Sequence, residues 1–434
     1  MGDAVVGIIG MGDMGKMYAR RISKAGWRVL ACDLPAKTAA LEAEFSDNNN
    51  VSILKDGYEV SRASDWIMYF VEAKNIHTIV ADYGRSTKMN AIVGGQTSTK
   101  APEIAAFERY LPADVDIISC HSLHGPGVDP KGQPLVIINH RVQRQESADL
   151  VKRILSCMES NIVHLSAEEH DRITADTQAV THAAFLSMGS AWHANKQFPW
   201  EIPRYVGGIE NVKINLMMRI YSNKWHVYAG LAILNPAAKI QIKQYSDSVT
   251  HIYALMLQKG KRDELTKRIY DARDKVFGQP RNDDEGLLLQ DDLLDRFSLG
   301  KKPAVRHPNN HLSLLAMVDC WSELNINPYE HMICSTPLFR LWLGITEYVF
   351  RKPGLLDECI DTAMENDSFR SDDLKFTLAA NAWSDVVRSG NMEAYREKFE
   401  EVQKYFESSF AEATKVGNEM IKTIEVGLRS RKTT

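Results

Sequence analysis

The stretch Val5-Val-Gly-Ile-Ile-Gly10-Met-Gly12-Asp-Met-Gly15 decides the fold, because it places three glycines between an apolar run and a helical pattern. In such a turn Gly10 permits the tight bend, Gly12 lets the backbone approach a pyrophosphate, and Gly15 lets helix and strand pack closely. The phosphates then lie at the positive end of the helix dipole. The strand and helix on either side favour a Rossmann-type dinucleotide-binding turn over a glycine-rich turn without a ligand.

The same turn predicts the residues that contact the cofactor. They are Gly10, Met11, Gly12, Asp13, Met14, Gly15 and, at the end of the next apolar run, Asp33. An acidic residue at the position of Asp33 usually accepts hydrogen bonds from the adenosine ribose and repels a 2′-phosphate. The spacing alone therefore favours NAD, with Lys37 close enough in sequence to offset the charge of Asp33.

Working outward, short apolar runs alternate with helical patterns over the first 165 residues. The runs that predict strands are Val5–Ile9, Arg28–Cys32, Trp66–Val71, Ala91–Val93, Ile117–Ser119, Leu135–Asn139 and Ile162–Leu165. Strands that alternate with helices predict βαβ units and a mostly parallel sheet. Runs that are apolar throughout are typical of strands covered on both faces. The predicted fold class is therefore α/β, with an N-terminal Rossmann-like, doubly wound parallel sheet.

Beyond residue 165 the pattern becomes helical. Glu168 to Asn195 lacks proline and predicts one long helix, and a second helical stretch runs from about Val212 to Leu234. We predict a dinucleotide-binding domain at 1–165, an all-helical substrate and dimerisation domain at 166–345, and a helical C-terminal extension at 346–434. Packing onto the helical domain is the simplest interpretation of the extension; a wider dimer interface or tyrosine feedback are the alternatives.

Composition excludes several classes of function. The chain has 434 residues and a net charge of -4, so no basic excess points to nucleic acid or an anionic membrane. Its six cysteines form no CxxC pair and no zinc-like spacing, which predicts a reducing compartment and no metal. The N-terminus does not read as a signal peptide, and no apolar run approaches the ~20 residues that span a bilayer. We expect a soluble cytoplasmic protein.

Several polar segments follow the predicted strands or lie on the helices. Ser119-Cys-His121-Ser-Leu-His124 comes directly after a strand, where open α/β sheets bind ligands. We interpret His121 as an acid–base candidate and His124 as a histidine hydrogen-bonded to loop backbone. Arg219 is flanked by apolar residues, so it needs an anionic partner. A substrate carboxylate and a structural ion pair are equally good partners on sequence alone.

Further segments are Gly94-Gly-Gln-Thr-Ser98-Thr-Lys100, His170-Asp171 and Thr177-Gln-Ala-Val-Thr-His182. Together with the strings THAAFLSMGSAW, RIYSNKWHVYAGLA, GQPLVIINHR and HMICSTPLFR, they resemble the prephenate dehydrogenase family, most closely its fungal branch. The similarity extends over nearly the whole chain. It implies oxidative decarboxylation of prephenate to 4-hydroxyphenylpyruvate in tyrosine biosynthesis, by a homodimer. Fungal members are classed as using NADP+, so we expect NADP+ with NAD+ as the alternative.

The resemblance also implies roles for individual residues. They are His121 as the catalytic histidine, Ser98 as the serine that orients it and the substrate hydroxyl, Arg219 as the substrate-carboxylate arginine, and His182, Asn223 and Lys224 as further substrate-binding residues. Ser122 stands where the family usually has proline. The helix motif Gln178-Ala-Val-Thr-His182 departs from the commonest form of the family motif.

Two other functions remain open at this point. An arogenate dehydrogenase would share these residues, whereas a 3-hydroxyacid dehydrogenase would need a catalytic lysine on the long helix, which carries none before Lys196. A catalytically silent NAD(P)-binding sensor belongs to another class, but it would not need His121, Ser98 and Arg219 together.

Overall fold

The computed structural model describes residues 4–278, 294–301, 307–334 and 336–431. The chain divides into two compact units, Met1–Thr174 and Ala175–Thr434. The division therefore follows Thr174, whereas the sequence placed the end of the first domain at residue 165. Each unit is described below by itself.

Unit 1 is built around an eight-stranded sheet with the strand order β3-β2-β1-β4-β5-β6-β7-β8. Its strands are β1 Val5–Ile9, β2 Arg28–Cys32, β3 Val51–Ile53, β4 Trp66–Tyr69, β5 Ile92–Gly95, β6 Asp116–Ser122, β7 Pro134–Arg141 and β8 Asn161–His164. Neighbouring strands are parallel except β6 and β7, which are antiparallel. The predicted doubly wound, mostly parallel sheet is confirmed.

Helices cover both faces of this sheet. They are α1 Asp13–Lys24, α2 Thr38–Glu44, α3 Gly57–Ala63, α4 Ile76–Tyr83, α5 Ala101–Tyr110, α6 Gln145–Leu155 and α7 Ala167–Thr174. Successive strand residues such as Met68 and Tyr69 belong to two separate apolar cores, one packed by α1 and α6 and the other by α3, α4 and α5. Because both faces are buried, the strands can be apolar throughout, as their sequences are.

The short strand β3 was not predicted. It has three residues, pairs only with β2, and follows Asn48-Asn-Asn50, a run that is typical of loops. An edge strand this short carries too little apolar sequence to be recognised, and its place is set by the neighbouring strand.

Unit 2 is helical in the part that the structure describes. Numbered through the described residues, its helices are α8 Val180–Ala194, α9 Gly208–Tyr221, α10 Trp225–Ile233, α11 Pro236–Met256, α12 Arg262–Phe277, α13 Leu312–Glu323, α14 Pro337–Arg351, α15 Leu355–Glu365, α16 Arg370–Ser389, α17 Met392–Phe406 and α18 Phe410–Arg431. In the described residues, no helix is long and apolar enough to cross a membrane.

One apolar core joins the helices of unit 2. It contains Phe185 of α8, Trp383 of α16 and Phe399 of α17, and α16 packs directly on α8 and α11. The last helices therefore pack onto the helical unit, as the simplest interpretation of the sequence expected. The boundary proposed at 345/346 lies inside α14.

Two helical predictions need comment. The helix expected from Glu168 to Asn195 is helical through Ala194 but includes a π-helical turn at Ala175–Ala179. The single stretch from Val212 to Leu234 was wrong, because α9 ends at Tyr221 and α10 begins at Trp225. The Asn223 side chain donates to the backbone oxygen of Arg219 at 2.9 Å, satisfying a carbonyl that a continuing helix would have paired.

Candidate active site

The glycine turn joins β1 to α1 in the geometry that a dinucleotide needs. Gly10 has a φ of +105°, and its N–H donates to the Cys32 oxygen at 2.9 Å. A Cβ at Gly10 would lie 2.2 Å from the Phe70 oxygen, and one at Gly15 would lie 2.1 Å from the Gly10 oxygen. A Cβ on Gly12 would meet no atom within 4 Å. Gly10 and Gly15 are thus required by the fold, whereas Gly12 borders open space in front of the helix N-terminus.

We expect Gly12→Ala to leave the fold intact and weaken cofactor binding. The added methyl occupies only the space through which the backbone approaches the pyrophosphate, so the Kd for NADP+ should rise by about tenfold or more. Titration of the purified variant with NADP+, together with its melting temperature without cofactor, gives both readouts. Gly15→Ala is the contrasting variant and should lower the melting temperature. Wild-type affinity in Gly12→Ala would show that the pyrophosphate lies elsewhere.

Asp33, which directly follows β2, is tied into this turn. Its Oδ2 accepts from the Met11 N–H at 2.8 Å, and its Oδ1 accepts from the Leu34 N–H at 2.7 Å. Lys37 forms an ion pair with the carboxylate at 3.1 Å, and the Asp33 side chain is only 9% exposed. The carboxylate is therefore neutralised and turned toward the protein backbone, which weakens its repulsion of a 2′-phosphate.

His121 lies at the carboxyl end of β6, the edge where the parallel β1 and β5 also end. It is 8% exposed, and its Nδ1 lies 2.8 Å from His170 Nε2. Burial lowers the pKa of His121 well below its ordinary value, and the neighbouring His170, Lys100 and His124 lower it further. The imidazole is consequently neutral at physiological pH, which is the state required to accept a proton.

The loop after β5 lies beside His121 and is fastened from below. Lys100 and Glu103 are fully buried and form an ion pair at 3.0 Å. Lys100 Nζ also donates to the backbone oxygens of Gly95 and Cys120, at 3.2 and 2.9 Å. This ion pair joins the ends of β5 and β6, so it fixes the backbone that carries His121.

A second contact set connects α1 to the same edge. Gln96 donates to the Tyr18 hydroxyl at 2.6 Å and accepts from the Ser122 N–H at 3.0 Å. The hydroxyls of Tyr18 and Ser122 lie 2.5 Å apart. Ser122, which replaces the usual proline of the family, therefore links β6 to the helix that follows the glycine turn.

Ser98 is half-buried in the loop after β5. No hydrogen bond joins it to another described residue, so the contact that orients His121 in this structure comes from His170. His124 hydrogen-bonds through Nδ1 to the Gly125 oxygen at 3.0 Å, as the sequence interpretation expected.

In unit 2, the predicted substrate-binding residues form one cluster around Tyr228. The rings of His182 and Tyr228 meet edge to face at 4.8 Å between centroids. Asn223 donates to the Tyr228 hydroxyl at 3.0 Å and to the Arg219 oxygen. Lys224 is the residue that precedes α10. The cluster brings His182, Arg219 and Asn223 together, and Tyr228 is a member that the sequence analysis did not single out.

The side chain of Arg219 has no ion pair in the described part of the chain. Its guanidinium donates to Asn418 Oδ1 at 2.7 Å, and no described carboxylate pairs with it. The structural ion pair considered from sequence is thus absent among these residues. A half-buried guanidinium with one neutral partner keeps donors available for a carboxylate.

His182 is in an apolar setting. Burial lowers its pKa to about 3, and its Nδ1 has no hydrogen-bond partner among the described residues. A neutral imidazole with an unpaired nitrogen can bind a polar group of a ligand without adding charge.

The sequence analysis also missed His170, Asp171, Gln96 and Tyr18 as members of the His121 environment. Two signals were present, because His170-Asp171 and the segment around Gln96 both stood out as polar sequence. Their pairing with His121 depends on contacts between residues far apart in the chain, and nothing in one sequence reveals those contacts. Among the described residues, no group of His, Cys, Asp or Glu could hold a metal ion.

A Rossmann sheet with an open glycine turn and a buried, neutral histidine at the same edge defines a nicotinamide dinucleotide-dependent dehydrogenase as the class of protein. Comparison with known families agrees. The NAD binding domain of 6-phosphogluconate dehydrogenase matches residues 5–101. A family of domains like the C-terminal domain of 6-phosphogluconate dehydrogenase matches residues 179–426.

Full-length relatives give the family. A probable NADP(+) prephenate dehydrogenase from Schizosaccharomyces pombe is 59% identical over 418 residues, covering 96% of each chain. The NADP(+) prephenate dehydrogenase of Saccharomyces cerevisiae is 54% identical over 432 residues, covering 97% of this chain and 94% of the relative. The chain belongs to the prephenate dehydrogenase family.

The fold is shared with a solved structure as well. The crystal structure of prephenate dehydrogenase from A. aeolicus in complex with hydroxyphenyl propionate and NAD+ superposes with a TM-score of 0.51 at 17% identity. The match covers 64% of this chain and 98% of that chain. At this level of identity the similarity shows a common fold.

Proposed function

We propose that this protein is an NADP+-dependent prephenate dehydrogenase, which converts prephenate to 4-hydroxyphenylpyruvate and CO2. The observation that carries the proposal is His121, a buried imidazole whose Nδ1 is hydrogen-bonded and whose pKa is lowered by burial. The two fungal relatives, each matched over more than nine-tenths of its length, carry the same activity in their names.

The residues divide the reaction into separate tasks. The glycine turn holds the dinucleotide, which when bound accepts the hydride from the ring carbon that bears the hydroxyl. His121 takes the hydroxyl proton at Nε2, as general base. The ring carboxylate leaves as CO2, and its bond electrons complete the aromatic ring. Ser98 contacts the substrate hydroxyl.

The cluster around Tyr228 supplies substrate binding. Arg219 pairs with a prephenate carboxylate, because a guanidinium matches a carboxylate with two parallel hydrogen bonds. His182, Asn223 and Lys224 contact the remaining polar groups. A nucleotide sensor would need none of these groups, and the buried neutral base supports catalysis instead.

The substrate is tested by comparing prephenate with arogenate. Initial rates of NADPH formation, followed by absorbance, are measured for both compounds at equal concentrations of enzyme and NADP+. The proposal expects a higher kcat/KM for prephenate. A higher kcat/KM for arogenate would reassign the protein to arogenate dehydrogenation, and no turnover of either compound would favour the sensor.

Lys37 accounts for the use of NADP+ beside an acidic residue. It is half-exposed, it neutralises Asp33, and it lies directly after the strand end where the adenosine ribose binds. We expect Lys37→Gln to lower the ratio of kcat/KM for NADP+ to kcat/KM for NAD+ by about tenfold, since a charge-assisted hydrogen bond to phosphate is lost.

Both cofactors are assayed with saturating prephenate. Lys152→Gln is the matched control, because Lys152 is exposed on α6 and away from the glycine turn. An unchanged cofactor ratio in Lys37→Gln would remove Lys37 from phosphate recognition. Homodimerisation, tyrosine feedback and a cytoplasmic location stay predictions.

A further inference from the structure

His121 is the first member of a hydrogen-bonded chain of three side chains. His121 Nδ1 lies 2.8 Å from His170 Nε2, and His170 Nδ1 lies 2.9 Å from Asp171 Oδ1. His170 and Asp171 are 1% and 5% exposed, so water does not compete for these contacts. Each imidazole uses one nitrogen toward the next member of the chain, and no described residue hydrogen-bonds to His121 Nε2.

Asp171 is held in place by backbone of the loop after β5. Its Oδ1 accepts from the Lys100 N–H at 2.6 Å, and its Oδ2 accepts from the Ala101 N–H at 2.8 Å. Although burial alone would raise its pKa, the hydrogen bonds from His170 and these two N–H groups keep it below the ordinary value. The carboxyl is therefore ionised at neutral pH and can only accept hydrogen bonds.

The direction of every bond in the chain follows from that carboxylate. His170 must carry its proton on Nδ1 to donate to Asp171, which leaves Nε2 with a lone pair. That lone pair can accept only from a protonated Nδ1 of His121. His121 Nε2 is then unprotonated, and in a neutral imidazole it is the nitrogen available as base.

We propose that His170 and Asp171 are positioning residues that hold His121 in the Nδ1–H tautomer, with Nε2 free to take the substrate's hydroxyl proton. This inference rests on the proposed function of His121. When Nε2 accepts the proton, the Nδ1–H of the resulting imidazolium stays bonded to His170, so the ring does not rotate during the reaction. A carboxylate that orients a catalytic histidine through its second nitrogen is a known device; here an additional imidazole lies between them.

The direct test is the tautomer of His121 in the intact protein with bound NADP+. The protein is labelled with 15N-histidine, the His121 signals are assigned through His121→Gln, and long-range 1H–15N correlations report which ring nitrogen carries the proton. We expect Nδ1–H in the wild type at neutral pH. An Nε2–H tautomer there would overturn the proposal, whatever the variants do.

Activity variants give the second readout. His170→Phe removes the acceptor, and we expect kcat to fall by about 10- to 100-fold, with the KM for prephenate and the Kd for NADP+ within about twofold of wild type. His170→Gln keeps an amide oxygen that can accept from Nδ1–H, so it should recover most of the lost kcat. His140→Phe is the control, because His140 is paired with Glu108 near the end of β7.

The outcomes separate this inference from the proposed function. Equal losses of kcat in His170→Phe and His170→Gln, or an unchanged kcat in His170→Phe, would contradict a positioning role. If the wild type failed to turn over prephenate, the proposed function would fail, and the tautomer measurement would still report on the chain because it needs no substrate.

Discussion

Replacing His121 with asparagine is expected to lower kcat for prephenate by about 10²–10⁴-fold, the contribution usual for a general base. The amide cannot accept a proton at neutral pH, whereas the buried imidazole can. Binding of NADP+ should stay unchanged, since the glycine turn and its contacts with Asp33 do not involve His121. Steady-state kinetics with prephenate and equilibrium titration with NADP+ measure the two quantities.

The pH profile of the wild type provides the control for this prediction. Burial lowers the pKa of His121 below its ordinary value of 6.5, so the base is neutral at neutral pH and becomes protonated only in more acidic solution. The acid limb of kcat/KM should therefore lie below pH 6.5 and disappear from the residual activity of His121→Asn. A kcat of His121→Asn near the wild-type value would remove His121 from the base role.

Replacing Arg219 with glutamine is expected to raise the KM for prephenate by about 10- to 100-fold and to change kcat much less. A charge-assisted, two-pronged bond to a carboxylate is worth about 1.5–3 kcal/mol, which corresponds to that range. The available donors of this side chain support the prediction, because Asn418 is its hydrogen-bond partner among the described residues.

Two further variants of this kind sharpen the result. Arg219→Lys keeps the charge but loses the planar fork, and should give an intermediate KM. Arg388→Gln removes an exposed arginine of α16 that pairs with Asp385, and should leave KM unaltered. If Arg219→Gln bound prephenate as well as wild type does, Arg219 would have a structural role only.

The sheet could be predicted from the sequence because its strands are buried on both faces and therefore apolar without interruption. The glycine turn was equally legible, since Gly10 and Gly15 are dictated by backbone contacts with Phe70 and with each other. The missed strand Val51–Ile53 has neither property. Its position at the sheet edge is determined by pairing with β2.

The candidate site could be predicted only in part. His121 was recognised because histidine directly after a buried strand is unusual, and Asp33 because its spacing from the turn is regular. The engagement of Asp33 by Lys37 and Met11 reconciles an acidic residue with NADP+, but it depends on side-chain directions that spacing does not give. The contact of His121 with His170 joins two segments that are far apart in the chain, so it could be found only in the folded structure.

Product analysis tests the central claim most directly. Purified protein is incubated with prephenate and NADP+, NADPH is followed by its absorbance, and the organic product is separated and identified by chromatography. We predict 4-hydroxyphenylpyruvate and NADPH in equal amounts, and negligible quantities of both with His121→Asn. NADP+ binding without formation of either product in the wild type would contradict a prephenate dehydrogenase.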